Sequence, residues 1–122
     1  MHKTNLAEAF SSFDDTWSPK VAGAVNDMEV KLAKFDGEFV WHHHEHEDEL
    51  FLVVQGRLRM RLREGDIVVE PGEFLIVPRG TEHCPVAEPD CQVLLLEPAT
   101  TVNTGNVRDE RTVTDLGRIG RS

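Results

Sequence analysis

The sequence predicts an all-β chain, a sandwich or barrel of antiparallel strands preceded by a short N-terminal helix. Three observations predict it. Apolar and polar residues alternate with period two from Met28 onward. Glycine or proline turns recur roughly every eight to fifteen residues, and no helical pattern lies between the strand-like runs.

The helix comes first. In TNLAEAFSSF, Asn5 is placed to cap it, Glu8 occupies the capping-box position, and Leu6, Phe10 and Phe13 share one face. DDTWSP ends it, with Asp14, Asp15 and Pro19 as breakers. MEVKLAKF then reads as a half-buried strand, with Met28, Val30 and Leu32 toward a core and Glu29, Lys31 and Ala33 toward water. Asp36-Gly37 reads as a turn, and FVWHHH and ELFLVV as strands separated by the polar stretch EHED. The cleanest strand follows, in which Leu58, Met60 and Leu62 alternate with Arg57, Arg59, Arg61 and Arg63. IVV and FLIVP are short strands, PRGTEH a turn, CPVAEPD a strand end and loop, and CQVLLLE a last strand. From Thr112 the pattern weakens, and the end of the tail, GRIGRS, is expected to be mobile.

Composition limits what such a chain does. At 122 residues it makes about one domain with a modest core. The formal charge of −9 argues against nucleic acid, because binding phosphates requires a basic surface that displaces counterions. The arginine row is read instead as the solvent face of a strand, its charges discouraging edge pairing. No apolar run approaches the roughly 20 residues of a membrane helix, and the N-terminus has no signal-like stretch, so no membrane partner and a cytoplasmic location are expected. Cys84 and Cys91 form no CxxC pattern and are expected to be free, buried thiols.

The chemistry concentrates in HHHEHEDELF, residues 42–51, where four of the six histidines fall within five positions. In a strand His42 and His44 share a face and His43 points away; in a helix the same-face pair would be His42 and His46. The β-branched and aromatic flanks favour the strand. The two Cα atoms would then stand about 6.5 Å apart, close enough for both imidazoles to reach one ion at roughly 2.1 Å. Glu49 lies seven residues past His42, so it joins them only if EHED bends. His83 follows a tight turn at Pro78 and Gly80. His42, His44, Glu49 and His83 would together suit a divalent first-row metal: Mn, Fe, Co, Ni, Cu or Zn. Octahedral geometry would leave two positions for water or substrate. Singly, each of these residues is more often a surface or a satisfied core side chain. Glu45, His46, Glu47 and Asp48 are read as a charged loop, His43 as structural and Cys84 as packing. Gln55, Arg79, Glu82 and Glu97 lie near motif or strand ends and are read as surface residues. Phe39, Phe51 and Phe74 are candidates to fill or line an interior.

With these residues in place, the sequence resembles the cupin superfamily, in particular its small single-domain members. Its first motif, G(X)5HXH(X)3,4E(X)6G, is matched by His42, His44, Glu49 and Gly56; its second, G(X)5PXG(X)2H(X)3N, by Gly72, Pro78, Gly80 and His83. Gly37 stands one residue too close to His42, and Ala87 replaces the asparagine, which is not a ligand. The resemblance implies one antiparallel jelly-roll barrel over residues 17–107, after a helical segment over 1–16 and before a tail over 108–122. It implies that the four ligand candidates point inward onto a metal. It also implies a homodimer, with the dimer strand sought between Trp17 and Phe35.

Cupins with this ligand set include dioxygenases, oxalate-degrading enzymes and sugar-phosphate isomerases. The expected function is therefore a metal-dependent enzyme acting on a small oxygenated metabolite, with its catalytic residues unassigned. The alternative is a non-catalytic module that holds a small ligand or senses metal. Because ligand histidines must be neutral and free histidine has a pKa near 6.5, metal affinity is expected to fall below roughly pH 6.

Overall fold

The computed structural model describes residues 1–120. Helix α1 (Leu6–Ser11) begins where predicted: the Asn5 side chain accepts a hydrogen bond from the Glu8 backbone N–H at 3.0 Å. Seven strands follow: β1 (Lys20–Val25), β2 (Met28–Glu38), β3 (Glu49–Gln55), β4 (Leu58–Leu62), β5 (Ile67–Val69), β6 (Phe74–Val77) and β7 (His83–Pro98). All pair antiparallel, in the order β1-β2-β7-β3-β6, with β4 paired to the first part of β7 and β5 to β4. The result is a bent, unclosed sheet of jelly-roll type, not a fully closed barrel. Among the described residues no helix is long and apolar enough to cross a membrane.

Strand β7 organises the sheet. CPVAEPD does not end in a loop; it continues into CQVLLLE as one strand of 16 residues, bending where Asp90 takes a positive φ of 65°. Its first part pairs with β4 and its second with β3, while β2 follows both. Gly56, between β3 and β4, crosses against that bend. A Cβ there would lie 2.8 Å from the Cys91 Cα, at a φ of +84°, which accounts for the glycine at this motif position.

The core fills the concave side with Ala33, Phe35, Phe51, Val53, Leu58, Met60, Val93 and Leu95. Here β2 departs from the sequence reading. Lys31, Ala33 and Phe35 face inward and are buried, whereas Leu32 faces outward beneath Ala9 and Phe10 of α1. Both faces of β2 are covered, so the simple rule of apolar in and polar out fails on this strand. Asp36-Gly37 is not a turn: β2 continues to Glu38, with a bulge between Phe35 and Gly37. FVWHHH forms no regular strand either, only a bridge at His42. Phe74 is exposed and takes no part in the interior, unlike Phe39 and Phe51.

The arginine row lies outside as expected, with Leu58 and Met60 buried behind it. Arg61 contacts Glu38 at 2.9 Å and Arg63 contacts Glu82 at 3.2 Å, consistent with a solvated face. The segment between Trp17 and Phe35 contributes β1 and most of β2, which pair within the chain. Residues after β7 run back across the fold: Val21 donates to the Gly117 carbonyl and Ile119 to the Val21 carbonyl, each at 2.9 Å. Of the tail end GRIGRS, expected to be mobile, Gly117 and Ile119 are thus bonded to β1, and Arg121 and Ser122 lie outside the described residues.

Candidate metal centre

The loop and turn chemistry of two segments assembles the site. His42 and His83 stand opposite one another in an antiparallel bridge, exchanging backbone hydrogen bonds of 3.0 and 2.9 Å. One step along, Gly80 donates to the His44 carbonyl at 2.8 Å, locking residues 42–44 to the turn before His83. EHED then bends as parity requires. Glu47 accepts from Thr100, Asp48 accepts from the Arg79 backbone, and Glu45 contacts His43, so this charge is used in the loop. Beyond the bend, Glu49 opens β3 with its side chain inward.

The four candidates thus converge. Each offers one ligand atom, these atoms lie within 4.8 Å of one another, and all four residues are buried. The ring of His42 lies 4.3 Å from that of His83 and 5.1 Å from that of His44, centroid to centroid. Nδ1 of His42 faces the Val40 carbonyl and Nδ1 of His83 the Thr81 carbonyl, each at 2.9 Å. Those bonds place the proton on Nδ1 and leave Nε2 with its lone pair toward the shared space. Glu49 Oε1 lies 3.0 Å from His44 Nε2 and 3.2 Å from His83 Nε2, yet none of the three atoms has a partner in hydrogen-bonding geometry.

Three buried, unpartnered donor atoms around one point fit a metal ion better than a hydrogen-bonded network, because a buried polar atom left unpaired is costly. The nitrogen and carboxylate set is compatible with a divalent ion. Burial, and then the neighbouring His83, push the His42 imidazole down to about 4. Burial would raise Glu49, but contacts from His44, His83 and Glu97 outweigh it and hold this carboxyl well below its usual range.

A cupin domain is what this arrangement describes, and the sequence profile of the cupin domain family matches residues 28–97. The chain belongs to the cupin family. A cupin-2 domain containing protein from Shewanella frigidimarina is 41% identical, with a TM-score of 0.76 over 78% of this chain and 93% of that one. KdgF from Halomonas sp. is 32% identical, with a TM-score of 0.60 over 66% of this cupin and 76% of its own chain. Among curated proteins, Uncharacterized protein YdbB of Bacillus subtilis (strain 168) is 43% identical over 60 residues. That match takes in 48% of this cupin and about half, 53%, of the relative.

Two residues read as facing water belong to the interior of this cupin. Glu97 is 2% exposed, and Lys31, also read as facing water, is 1% exposed; the two meet at 3.1 Å. Burial, and then the Glu49 charge, raise Glu97 well above the usual carboxyl range against the opposing pull of Lys31. A signal was present in the sequence: Glu97 shares parity with Cys91, Val93 and Leu95, all inward. Gln55, Arg79 and Glu82 are exposed as expected. Cys84 is buried, its thiol pushed up to about 11 by burial and the nearby Glu38, as suits a packing residue.

Beside the four side chains lies a cavity of about 30 Å³, walled by Trp17, Phe39 and Phe51 and by His42, Glu49 and Glu97. It has room for a water molecule or two. Trp17 stacks on Phe35 and Phe39 at centroid distances of 4.3 and 4.6 Å, closing one side.

Proposed function

We propose that His42, His44, Glu49 and His83 bind one divalent first-row metal and that the protein is an enzyme acting there on a small oxygenated metabolite. The reaction class is oxygenation or isomerisation. The observation that carries this reading is the convergence of buried, unpartnered Nε2 and Oε1 atoms on one point. A metal bound there supplies Lewis acidity toward oxygen ligands or O2 at its open positions. The chain itself orients the ligands through the Val40 and Thr81 carbonyls, and its aromatic wall limits water.

Elemental analysis of untagged protein is expected to find about one first-row metal per chain. Iron-loaded protein is then screened for substrate-dependent O2 uptake, and manganese-, nickel- or zinc-loaded protein for sugar-type isomerisation. Failure to retain any metal would defeat the assignment. The small cavity favours a second reading: a non-catalytic module that senses metal or holds a small ligand. Binding without turnover under every metal would select it.

The chain is also proposed to act as a homodimer. Leu50, Leu52, Phe74 and Ile76 form an outward apolar row across β3 and β6, with Phe74 62% and Ile76 53% exposed. A second copy covering this row would remove it from water. Light scattering of the wild type and of the doubly charged variant F74E/I76K tests this; a monomeric wild type refutes it.

A further inference from the structure

The interior holds a charged pair that the four converging side chains do not account for. On three neighbouring strands, β3, β7 and β2, the inward side chains Glu49, Glu97 and Lys31 form a row. The register sets it: Leu50 faces Leu96, placing Glu49 beside Glu97, and Glu29 faces Glu97, placing Lys31 diagonally across. Lys31 Nζ takes Glu97 Oε1 at 3.1 Å, with Glu29 farther off at 3.8 Å. The other oxygen, Glu97 Oε2, is buried with no hydrogen-bond partner, on the side of the interior where Glu49 and Glu97 wall the same cavity.

Stability does not explain the arrangement. A buried ion pair is often no more stabilising than apolar residues of the same volume, and this one adjoins a second carboxyl. What the row does supply is a fixed neighbour for Glu49. Carboxylates that bind metal are held by outer partners, and the loss of such a partner typically weakens binding 10- to 100-fold.

We propose that Glu97, anchored by Lys31, is a positioning residue that holds the Glu49 carboxylate in its metal-binding orientation. This rests on the metal assignment above. The pair does not touch the ion; it acts through Glu49.

The test uses Co2+ alone, with affinity measured by chelator competition at constant pH and geometry read from its visible absorption bands. Removing one partner leaves an unpaired buried group and risks the fold, so the main variant is the double substitution K31M/E97L, which leaves no unpaired charge. It is expected to stay folded, to bind Co2+ about 10- to 100-fold more weakly and to show altered bands. E97Q keeps an acceptor for Lys31 and a donor toward Glu49, so it is expected to remain near wild-type affinity. Wild-type affinity and bands in K31M/E97L, with only the melting temperature changed, would overturn the proposal and leave the metal site intact. E97Q as weak as the double variant would overturn it too, by excluding a hydrogen-bonding role. Wild-type protein that binds no Co2+, indistinguishable from H44A, would overturn the metal assignment itself and this inference with it.

Discussion

Gly105 lies outside both cupin motifs, yet its replacement by alanine is expected to damage the metal centre. Its φ is +56°, in the left-handed region, and a Cβ built there would stand 2.2 Å from the His43 carbonyl oxygen and 3.1 Å from His42 Cδ2. The left-handed backbone alone costs alanine about 1–2 kcal/mol. Relieving the contact requires a shift of about 1 Å, and overpacking of this kind costs a further 1–3 kcal/mol or so. Neither side yields easily. His42 is bridged to His83, and the Gly105 loop is tied down by Asn106, whose side chain accepts from the His43 N–H at 2.8 Å and whose N–H returns to the His43 carbonyl. We expect G105A to lose about 3 kcal/mol in urea unfolding and to bind metal more weakly, since ligand distances tolerate only about 0.2 Å. G72A is the control: Gly72 has a φ of +85° but nothing within 4 Å of its Cβ, so it carries the backbone cost without the contact. If the two variants are destabilised equally and both bind metal normally, the loop does not press on His42 and the reasoning fails.

Three further outcomes follow from the same geometry. In H44A the metal content is expected to vanish while the far-ultraviolet circular dichroism stays that of a folded β protein; unchanged metal content removes His44 from the ligand set. The apo protein is expected to lose about 3 kcal/mol through His42 as pH falls from about 6.5 toward 4, because over that range the unfolded chain binds a proton the folded one refuses. Urea midpoints across this range, with H42N lacking that part of the slope, check the effect. Met60, fully buried in the core, is expected to cost about 2–5 kcal/mol as M60A, with metal affinity unaltered, measured by urea melt and Co2+ titration.

The strands and the convergence of His42, His44 and Glu49 were legible in the sequence because alternation fixes faces, whereas His83 was marked by its turn and the second motif. His42 and His44 share parity, EHED had to bend, and it does. The same rule misjudged β2. It assumes one wet face, but α1 covers the outside of Leu32, so apolar side chains occur on both faces and Lys31 could hide within. On β7 the unbroken apolar run Val93 to Leu96 does not say which face is inward, so the parity Glu97 shares with Val93 and Leu95 is a weak signal beside its place at a strand end. The segment after Pro98 has no periodicity to read. Its hold on the site comes from single side-chain bonds, such as Asn103 to the Trp17 carbonyl and Asn106 to His43, which no pattern announces.

The placement of His83 on β7 bears on how the protein is made. His42, His43, His44 and His46 are neighbours in the chain whether or not it is folded, so an unfolded or half-synthesised molecule already offers clustered imidazoles to any ion present. His83 and Glu49 join only when β7 has docked against β2 and β4 and β3 has formed. A metal held at these residues would therefore bind on both sides of the folding equilibrium, and would stabilise the native state only by the ratio of the two affinities. An ion that grips bare imidazoles most strongly, such as Cu(II), gains least from the finished site and competes longest with its assembly. On the proposed metal assignment, the histidine run would be a chelator before it is a site, and the last strand would turn one into the other.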